Sequence, residues 1–355
     1  MKIVTIVGAR PQFIKAAPVT KALREAGHTE FLLHTGQHYD YGMSKVFFEE
    51  MGIPEPDVNL GIGSGTPGWQ TGKMLMGIEE VLLGEKPNWV LVYGDTNSTL
   101  AGALAAVKLH MPVAHIEAGL RSYNREMPEE HNRVLSDHCA ELLFCPTKRA
   151  LDNLAREGVT HGVHLVGDTM YDAILQYAEI ANERSTILKT LGLKAKTYIL
   201  ATLHRPYNVD EPEKLRSILK ALEEIGGPVM FPVHPRTRQR IALLEGRLRF
   251  EKAGNLKLID PVGYLDMLVL EQNARVIMTD SGGMQKEAFF FGIPCVTLRP
   301  ETEWVELVEL GYNRLARTAA DIKTAYRSVA EVKVESASLY GNGTAGLKIV
   351  QKLAG

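Results

Sequence analysis

The chain has 355 residues, of which 45% are hydrophobic and 23% charged, and its formal net charge is −2. This composition is typical of a globular protein, and the length is enough for two domains. The nearly balanced charge argues against nucleic acid or a membrane surface as a partner, because proteins that bind either usually carry a basic excess. No apolar run reaches the about 18 residues that a membrane-spanning helix needs, and residues 1–7 are too short for a secretion signal.

The three cysteines, Cys139, Cys145 and Cys295, lie in or beside apolar segments without the spacing of a metal site, so we expect reduced core thiols in a cytoplasmic protein. A metal held by His204 and His234 is not favoured, because no carboxylate or cysteine accompanies them at a regular spacing. Neither a GxGxxG fingerprint nor a Walker A loop is present, which argues against a dehydrogenase or a P-loop enzyme. The sequence therefore predicts no metal and no cofactor.

Strand-like apolar runs alternate with amphipathic helical stretches, which is the pattern of parallel α/β architecture. The first series of predicted strands is Ile3–Val7, Phe31–His34, Val90–Val92, Val113–Ile116, Leu142–Cys145 and His164–Val166. The second series is Tyr198–Thr202, Val229–Pro232, Leu256–Ile259, Val276–Met278 and Cys295–Thr297. We predict an N-terminal domain over residues 1–168 with a returning helix at 345–355, and a C-terminal domain over 169–344. Two such domains would face each other across a cleft, with ligands at the carboxyl ends of the strands.

The segment TDSGGMQKEA, residues 279–288, follows a predicted strand and leads into a helix. Ser281 can cap that helix, and Gly282 and Gly283 leave backbone N–H groups open to anionic oxygens at the helix N-terminus. Glu287 lies further along the helix, where it could accept hydrogen bonds from a ribose diol. The pattern predicts a phosphate cradle, although an ordinary capped turn between strand and helix fits the Gly-Gly pair equally well.

Charged side chains follow the strand ends of the N-terminal half. Arg10 suits a diphosphate through its forked donors, and Lys15 fits either a ligand contact or a solvated helix face. Asp95 either caps the following helix or faces the cleft as an acid or base. Glu117 ends an apolar strand, where a semi-buried carboxyl group can exchange a proton near neutral pH. Glu129 starts a helix, where it either complements the helix dipole or joins the other two carboxylates.

Basic side chains follow the strand ends of the C-terminal half. His204 is held in an extended loop because Pro206 follows it by two residues. His234 and Arg236 follow the next strand in the same way, and Arg299 follows the last one. These groups form a basic rim suited to phosphate.

Taken together, these segments resemble the non-hydrolysing UDP-N-acetylglucosamine 2-epimerases. The matching motifs are GARPQFIK (8–15), TGQH (35–38), GDTNST (94–99), HIEAGLRS (115–122), MPEEHNR (127–133), HR (204–205), PVHPR (232–236), TDSGGMQKEA (279–288) and LRPETEW (298–304). The resemblance implies a GT-B fold, in which two Rossmann-like domains hold the active site between them, and a homodimer.

The resemblance also implies a reaction, the interconversion of UDP-GlcNAc and UDP-ManNAc in the synthesis of an envelope or surface polysaccharide. A base removes the C2 proton, UDP leaves C1, 2-acetamidoglucal stays bound, and UDP adds back with protonation on the other face. The family's carboxylates match Asp95, Glu117 and Glu129, with the face that each serves left open, and its histidine matches His204. Its nucleotide residues match Arg10, Ser281, Gly282, Gly283 and Glu287.

The chain departs from the common bacterial pattern in two segments. It has HRPYN at 204–208 where many members have HRREN, and Tyr39-Asp40 after TGQH. We therefore do not expect the second, allosteric UDP-GlcNAc of some members. GARPQFIK and the shorter loop before MPEE resemble relatives that epimerise UDP-2,3-diacetamido-2,3-dideoxyglucuronate, so this sugar is an alternative substrate. A GT-B UDP-sugar glycosyltransferase, a hydrolysing epimerase and a non-catalytic UDP-sugar sensor also stay open.

Overall fold

The structure, a computed structural model, describes residues 1–37, 50–245, 254–329 and 338–355. The chain divides into two compact units: an N-terminal unit of Met1–Tyr177 with Ser338–Gly355, and a C-terminal unit of Ala178–Ala337. The division falls within the helix Thr169–Arg184, and the chain returns to the first unit at Ser338. The predicted domain limits at 168 and 345 stay predictions of where independently folding domains end.

Thirteen strands within the described residues form two parallel sheets. They are β1 (Lys2–Val7), β2 (Thr29–His34), β3 (Val58–Asn59), β4 (Trp89–Tyr93), β5 (Val113–Ile116), β6 (Leu142–Cys145), β7 (Val163–Leu165), β8 (Ile199–Thr202), β9 (Val229–Pro232), β10 (Leu256–Ile259), β11 (Val276–Thr279), β12 (Cys295–Thr297) and β13 (Asn313–Leu315). All eleven predicted strands are confirmed, and the predicted two-sheet α/β fold with them. The sequence missed β3 and β13, which are edge strands of two and three residues.

Helices cover the connections between the strands. They are α1 (Arg10–Glu25), α2 (Pro67–Glu85), α3 (Asn97–Lys108), α4 (Pro128–Cys139), α5 (Lys148–Arg156), α6 (Thr169–Arg184), α7 (Ile187–Thr190), α8 (Pro206–Val209), α9 (Pro212–Glu223), α10 (Pro235–Glu245), α11 (Tyr264–Asn273), α12 (Gly282–Phe290), α13 (Val305–Glu309), α14 (Ala319–Val329) and α15 (Ala345–Ala354), with a 3₁₀ turn at Ser338–Tyr340. Five of them, α2, α4, α8, α9 and α10, begin at a proline, whose fixed φ suits the first helical position. None of the described helices is long and apolar enough to cross a membrane.

Both sheets have the strand order of a doubly wound fold. The N-terminal sheet runs β3-β2-β1-β4-β5-β6-β7, and the C-terminal sheet runs β10-β9-β8-β11-β12-β13. The order reverses between β1 and β4 in the first sheet and between β8 and β11 in the second. In open α/β sheets the loops at such a reversal diverge and leave a crevice at the carboxyl ends of the strands. Each sheet therefore has one preferred place for a ligand.

The apolar side chains that hold the two sheets lie in separate cores. In the N-terminal unit, α2 and α3 pack on β1 and β4 through buried residues that include Met74, Ile78, Val4 and Val90. In the C-terminal unit, α9 and α14 pack on β8 and β9, with Leu219 and Phe231 among the buried residues. Because the strands are covered by helices, their sequences are continuous apolar runs, which is why those runs predicted them.

Candidate active site

In the N-terminal unit, one glutamine joins the loops at the sheet reversal. The side-chain oxygen of Gln12 accepts hydrogen bonds from the backbone N–H groups of Gly8 at 2.8 Å and Ala9 at 3.0 Å. Its side-chain nitrogen donates to the carbonyl oxygen of Tyr93 at the end of β4, at 2.9 Å. The β1 loop is thereby fixed against the end of β4. Arg10 follows this loop as the first residue of α1 and is partly exposed.

A buried ion pair lies at the same sheet edge. Lys15 of α1 contacts the carboxylate of Glu117, and their side chains are 10% and 7% exposed. The interpretation that Lys15 lies on a solvated helix face is therefore wrong. The sequence could not show this, because α1 is buried along most of its length and an amphipathic pattern does not indicate that. Glu117 has a φ of +71°, a left-handed conformation that is costly for a residue other than glycine and is typical of functional sites.

Gly94 brings Asp95 next to this pair. An ideally placed Cβ on Gly94 would lie 3.1 Å from both Nζ of Lys15 and Oε2 of Glu117, so a side chain at this position would crowd both charged groups. Asp95 follows directly, and its Oδ2 accepts hydrogen bonds from Nε of Arg133 at 2.9 Å and pairs with Nη2 at 2.7 Å. Of the two alternatives for Asp95, the one in which it caps α3 is wrong.

The helix cap at α3 belongs to Thr96, whose side chain accepts a hydrogen bond from the backbone N–H of Thr99 at 3.3 Å. Asp95 is thus left for Arg133, and its side chain is 29% exposed. The carbonyl oxygen of Asp95 accepts a further bond from Asn132 at 2.9 Å. Both the backbone and the side chain of Asp95 are held by α4.

The two glutamates at the start of α4 have different surroundings. Glu130 is buried and accepts hydrogen bonds from the backbone N–H groups of Ser122 at 2.9 Å and Tyr123 at 2.8 Å, and it pairs with Arg133 at 2.7 Å. Burial alone would raise the pKa of Glu130, but these bonds and the charge of Arg133 lower it below the ordinary value. Glu130 is a structural carboxylate. Glu129 is half-buried and lies one helical turn before Arg133.

In the C-terminal unit, a carboxylate that the sequence analysis did not single out holds the His204 loop. Asp280 is fully buried and accepts hydrogen bonds from the backbone N–H groups of His204 at 3.1 Å and Arg205 at 3.0 Å, and from the side chain of Asn208 at 3.0 Å. Burial alone would raise its pKa, but His204, whose Nδ1 lies 3.1 Å away, and these bonds lower it. The ring of His204 stays 40% exposed and lies 6.3 Å from the ring of His234.

Strands β8 and β11 meet at the C-terminal sheet reversal, where the hydroxyl groups of Thr202 and Thr279 are 2.6 Å apart. Ser281 caps α12 and accepts a hydrogen bond from the backbone N–H of Met284 at 3.4 Å. Gly282 and Gly283 form the first turn of α12, and Glu287 is buried further along the helix.

Gly282 is constrained from the side by Glu303. A Cβ on Gly282 would overlap the carboxylate oxygen Oε1 of Glu303, so any larger residue here would have to displace that side chain. Glu303 is held in turn by Arg299, whose Nη1 lies 2.9 Å from Oε2. The side chain of Arg299 is 1% exposed, and its role as a phosphate ligand stays a prediction.

The remaining members of the predicted basic rim lie at the surface. Arg236 pairs with Asp210, which also pairs with Arg240 at 3.1 Å. His234 is exposed, and its Nδ1 accepts a hydrogen bond from the backbone N–H of Arg236 at 3.3 Å. His38 of the TGQH motif, with Tyr39-Asp40, lies outside the described residues.

Two doubly wound parallel sheets in one chain, each with polar groups at its reversal, define an α/β enzyme of the GT-B type. The fold alone is shared with a spinosyn rhamnosyltransferase, at a TM-score of 0.55 and 14% identity. The sequence profile of the UDP-N-acetylglucosamine 2-epimerases matches residues 21–354, and the chain belongs to this family of isomerases.

Three relatives illustrate the match. The chain is 52% identical to a UDP-N-acetylglucosamine 2-epimerase homolog of Methanococcus maripaludis over 99% of each chain. It is also 52% identical to the UDP-2,3-diacetamido-2,3-dideoxy-D-glucuronate 2-epimerase of Pseudomonas aeruginosa, over 100% of this chain and 99% of that one. The crystal structure of Methanocaldococcus jannaschii UDP-GlcNAc 2-epimerase in complex with UDP-GlcNAc and UDP has a TM-score of 0.94 and 46% identity, covering 100% of this chain and 99% of that one.

Proposed function

We propose that the protein interconverts UDP-GlcNAc and UDP-ManNAc without net hydrolysis. The observation that carries this proposal is the set of carboxylates at the N-terminal sheet edge: Glu117 contacts Lys15, Asp95 is held by Arg133 of α4, and Glu129 lies in the first turn of α4. The C2 proton of a UDP-sugar is weakly acidic, so its removal needs a positioned carboxylate, and its return on the other face needs an acid. A plain UDP-sugar binding protein has no such requirement.

In this proposal the proton on C2 moves to a carboxylate while the C2 electron pair forms a double bond to C1. The bond from C1 to the diphosphate oxygen breaks, and UDP takes its electron pair. Re-addition of UDP to C1 of the bound 2-acetamidoglucal, with protonation of C2 on the opposite face, completes the epimerisation. Asp95, Glu117 and Glu129 share the two proton transfers.

Binding and stabilisation of UDP fall to the other predicted residues. Ser281, Gly282 and Gly283 present the N-terminus of α12, which favours the charge of the departing diphosphate. His204, fixed by Asp280, supplies a donor to the same group, and Glu287 binds the ribose. The other cations assigned to the diphosphate are Arg10, Lys15, His234, Arg236 and Arg299.

A second substrate has specific support. The identity to the P. aeruginosa diacetamido-glucuronate epimerase is 52%, equal to the identity to the M. maripaludis UDP-GlcNAc 2-epimerase homolog. The chemistry at C1 and C2 is the same for both sugars, so the choice between them depends on contacts at C3 and C5. We therefore propose UDP-2,3-diacetamido-2,3-dideoxyglucuronate as the alternative substrate.

Incubation of both UDP-sugars in D2O tests the reaction. We expect deuterium at C2 of both epimers with UDP still attached. Release of UDP that depends on an acceptor, without exchange, would identify a glycosyltransferase; free ManNAc with UDP would identify a hydrolysing enzyme; binding without exchange would identify a sensor. The faster of the two sugars identifies the substrate.

Variants test the assigned carboxylates. Asp95→Asn, Glu117→Gln and Glu129→Gln should each lower turnover by about 100-fold or more, while UDP binding measured by calorimetry is kept. Glu126→Gln is the matched control, because Glu126 is an exposed glutamate of the same segment. Loss of UDP affinity in Glu117→Gln would contradict a role in proton transfer.

We also infer a homodimer, supported by an exposed apolar stripe on α2. Trp69, Met76 and Leu83 recur at heptad spacing and are 49%, 62% and 54% exposed. Lys73 and Glu80 flank Met76 almost symmetrically, so a second copy packed antiparallel would place opposite charges side by side around a two-fold axis.

A substitution at the centre of the stripe tests this dimer. Met76→Glu would bring two carboxylates together on the axis and should convert the dimer to a monomer in sedimentation velocity. Leu347→Glu is the control, since Leu347 is 53% exposed on α15. A wild-type monomer, or a Met76→Glu protein that sediments like the control, refutes the interface.

A cytoplasmic location is the last part of the proposal. Burial raises the pKa of the Cys145 and Cys295 thiols to about 12, and both are free. Buried free thiols fit a reducing compartment, where they need no protection from oxidation. Fractionation of the source cells, with the protein found outside the cytoplasm, would refute it.

A further inference from the structure

His115 is fully buried near the end of β5 and uses both of its ring nitrogens. Nδ1 lies 2.7 Å from Oδ1 of Asp137 on α4, and Nε2 lies 2.7 Å from the carbonyl oxygen of Gly94. A carbonyl oxygen and an ionised carboxylate can only accept hydrogen bonds, so each ring nitrogen must carry a hydrogen. The geometry therefore requires an imidazolium with the Asp137 carboxylate as its counterion.

The surroundings of Asp137 keep that carboxylate ionised. Its Oδ2 lies 2.7 Å from Nη1 of Arg121, and the backbone N–H of Gly119 lies 3.2 Å from the same oxygen. Arg121 is anchored in turn by Glu157, with two bonds of 2.7 Å. Burial alone would raise the pKa of Asp137, but His115 and Arg121 lower it below its ordinary value. Every member of this buried network has an opposite charge beside it, as a stable buried network needs.

The contact to Gly94 connects the network to the proposed active site. The carbonyl group of Gly94 belongs to the peptide that joins it to Asp95, so fixing this oxygen fixes the direction from which Asp95 leaves the backbone. Gly94 has a φ of +62° and lies beside the Lys15–Glu117 pair. Glu117 follows His115 by two residues on the same strand end. The His115 ring is thus linked to the backbone positions of two of the three candidate carboxylates, Asp95 and Glu117.

We propose that His115 is a positioning residue, whose charged ring, held between Asp137 and the Gly94 carbonyl, sets the placement of Asp95 and Glu117 at C2 of the sugar. The inference rests on the proposed epimerase function. A positioning role differs from a purely structural one, in which the hydrogen bonds of His115 would stabilise the fold without affecting turnover.

Kinetics of His115→Gln separate the two roles. Glutamine is uncharged and too short to reach both acceptors, so we expect a fall in kcat of tenfold or more with KM and the Kd for UDP within twofold. His161→Gln is the matched control, because His161 is an exposed histidine of the same unit and should keep full turnover. If His115→Gln lowers only the unfolding temperature, or lowers kcat no more than the control, the proposal is overturned.

The protonation state gives a second, independent measurement on the unaltered protein. Nitrogen-15 NMR of histidine-labelled protein at neutral pH should show one ring with both nitrogens protonated and slowly exchanging, and that signal should be absent from His115→Gln or, if that variant does not fold, from His115→Asn. A neutral tautomer at His115 in an active wild-type enzyme would overturn this inference alone. Failure of the wild type to epimerise either sugar would instead overturn the proposed function and leave the NMR result standing.

Discussion

Replacing Lys15 by methionine tests the buried ion pair at the centre of the N-terminal site. Methionine keeps most of the apolar stem but removes the positive charge that lies beside the Glu117 carboxylate. Removing one partner of a buried pair costs about 3–5 kcal/mol, because the remaining charge stays desolvated. Since the two side chains keep 10% and 7% exposure, we expect the lower end of that range, about 3 kcal/mol.

A double-mutant cycle isolates the pair from other effects of the substitution. Urea denaturation of wild type, Lys15→Met, Glu117→Gln and the double variant gives the four free energies of unfolding. The double variant buries neither charge, so it should recover stability, with a coupling energy of about 2 kcal/mol. Lys21→Met, at an exposed position of α1, should change stability by less than about 0.5 kcal/mol. Additivity of the single changes within about 0.5 kcal/mol would refute the pair.

Turnover of the same four proteins separates stability from chemistry. Glutamine at position 117 cannot accept a proton, so the double variant should regain stability without regaining deuterium exchange at C2. A double variant that regains both would show that Glu117 serves the fold and not the reaction.

Three further predictions concern other groups. Burial raises the pKa of Asp172 from 3.8 to about 6. A protonated Asp172 leaves the folded state at its full stability below the unfolded pKa, and this stability is lost as the pH rises through the folded pKa and the buried carboxyl ionises. Asparagine stays neutral at every pH. At about 1.36 kcal/mol per pKa unit, thermal denaturation should therefore show Asp172→Asn more stable than wild type by up to about 3 kcal/mol at pH 8 and almost unchanged at pH 4. Asp280→Asn removes the charge that holds the His204 loop, and calorimetry should show UDP binding weakened by about tenfold, since bonds to charged groups contribute about 1.5–3 kcal/mol; unchanged affinity would contradict this. Gly94→Ala adds a Cβ 3.1 Å from the Lys15–Glu117 pair at a φ of +62°, and it should lower kcat more than UDP affinity.

The fold was predictable because its strands are covered on both sides. Continuous apolar runs predicted five strands with the bounds that the structure has, among them β5 and β9. The two strands that were missed, β3 and β13, lie at the sheet edges and have polar residues such as Asn59 and Asn313. A strand of two or three residues has too little periodicity to separate it from a loop.

The site was predictable at the level of loops but not of contacts. Parallel strands bring their carboxyl ends to one edge, which placed Arg10, Asp95 and Glu117 in the same region. Which side chains then pair depends on tertiary packing over long separations: Lys15 and Glu117 are 102 residues apart, and Arg133 reaches Asp95 over 38. No local pattern records such a pairing. Tertiary packing also explains why Thr96 and not Asp95 caps α3: the carboxylate of Asp95 pairs with the distant Arg133.

Helix α4 shows why a polar segment can organise this site. Its buried residues are Glu130, Asn132, Arg133, Ser136 and Asp137, all polar, so the helix gains little from apolar burial. Buried polar groups stabilise a structure when they are paired, and Glu130, Asn132 and Asp137 of α4 bond to Ser122, Asp95 and His115, which lie in or beyond the ends of β4 and β5. A shift of α4 would break these bonds together, because all of them start from one rigid helix. Glu129 lies in the first turn of the same helix, so the contacts that place Asp95 and His115 also fix its backbone. The placement of Asp95 and Glu129 therefore depends directly on α4, and that of Glu117 depends on it through His115, so the polar buried face of this helix serves the geometry of the site more than the stability of the fold.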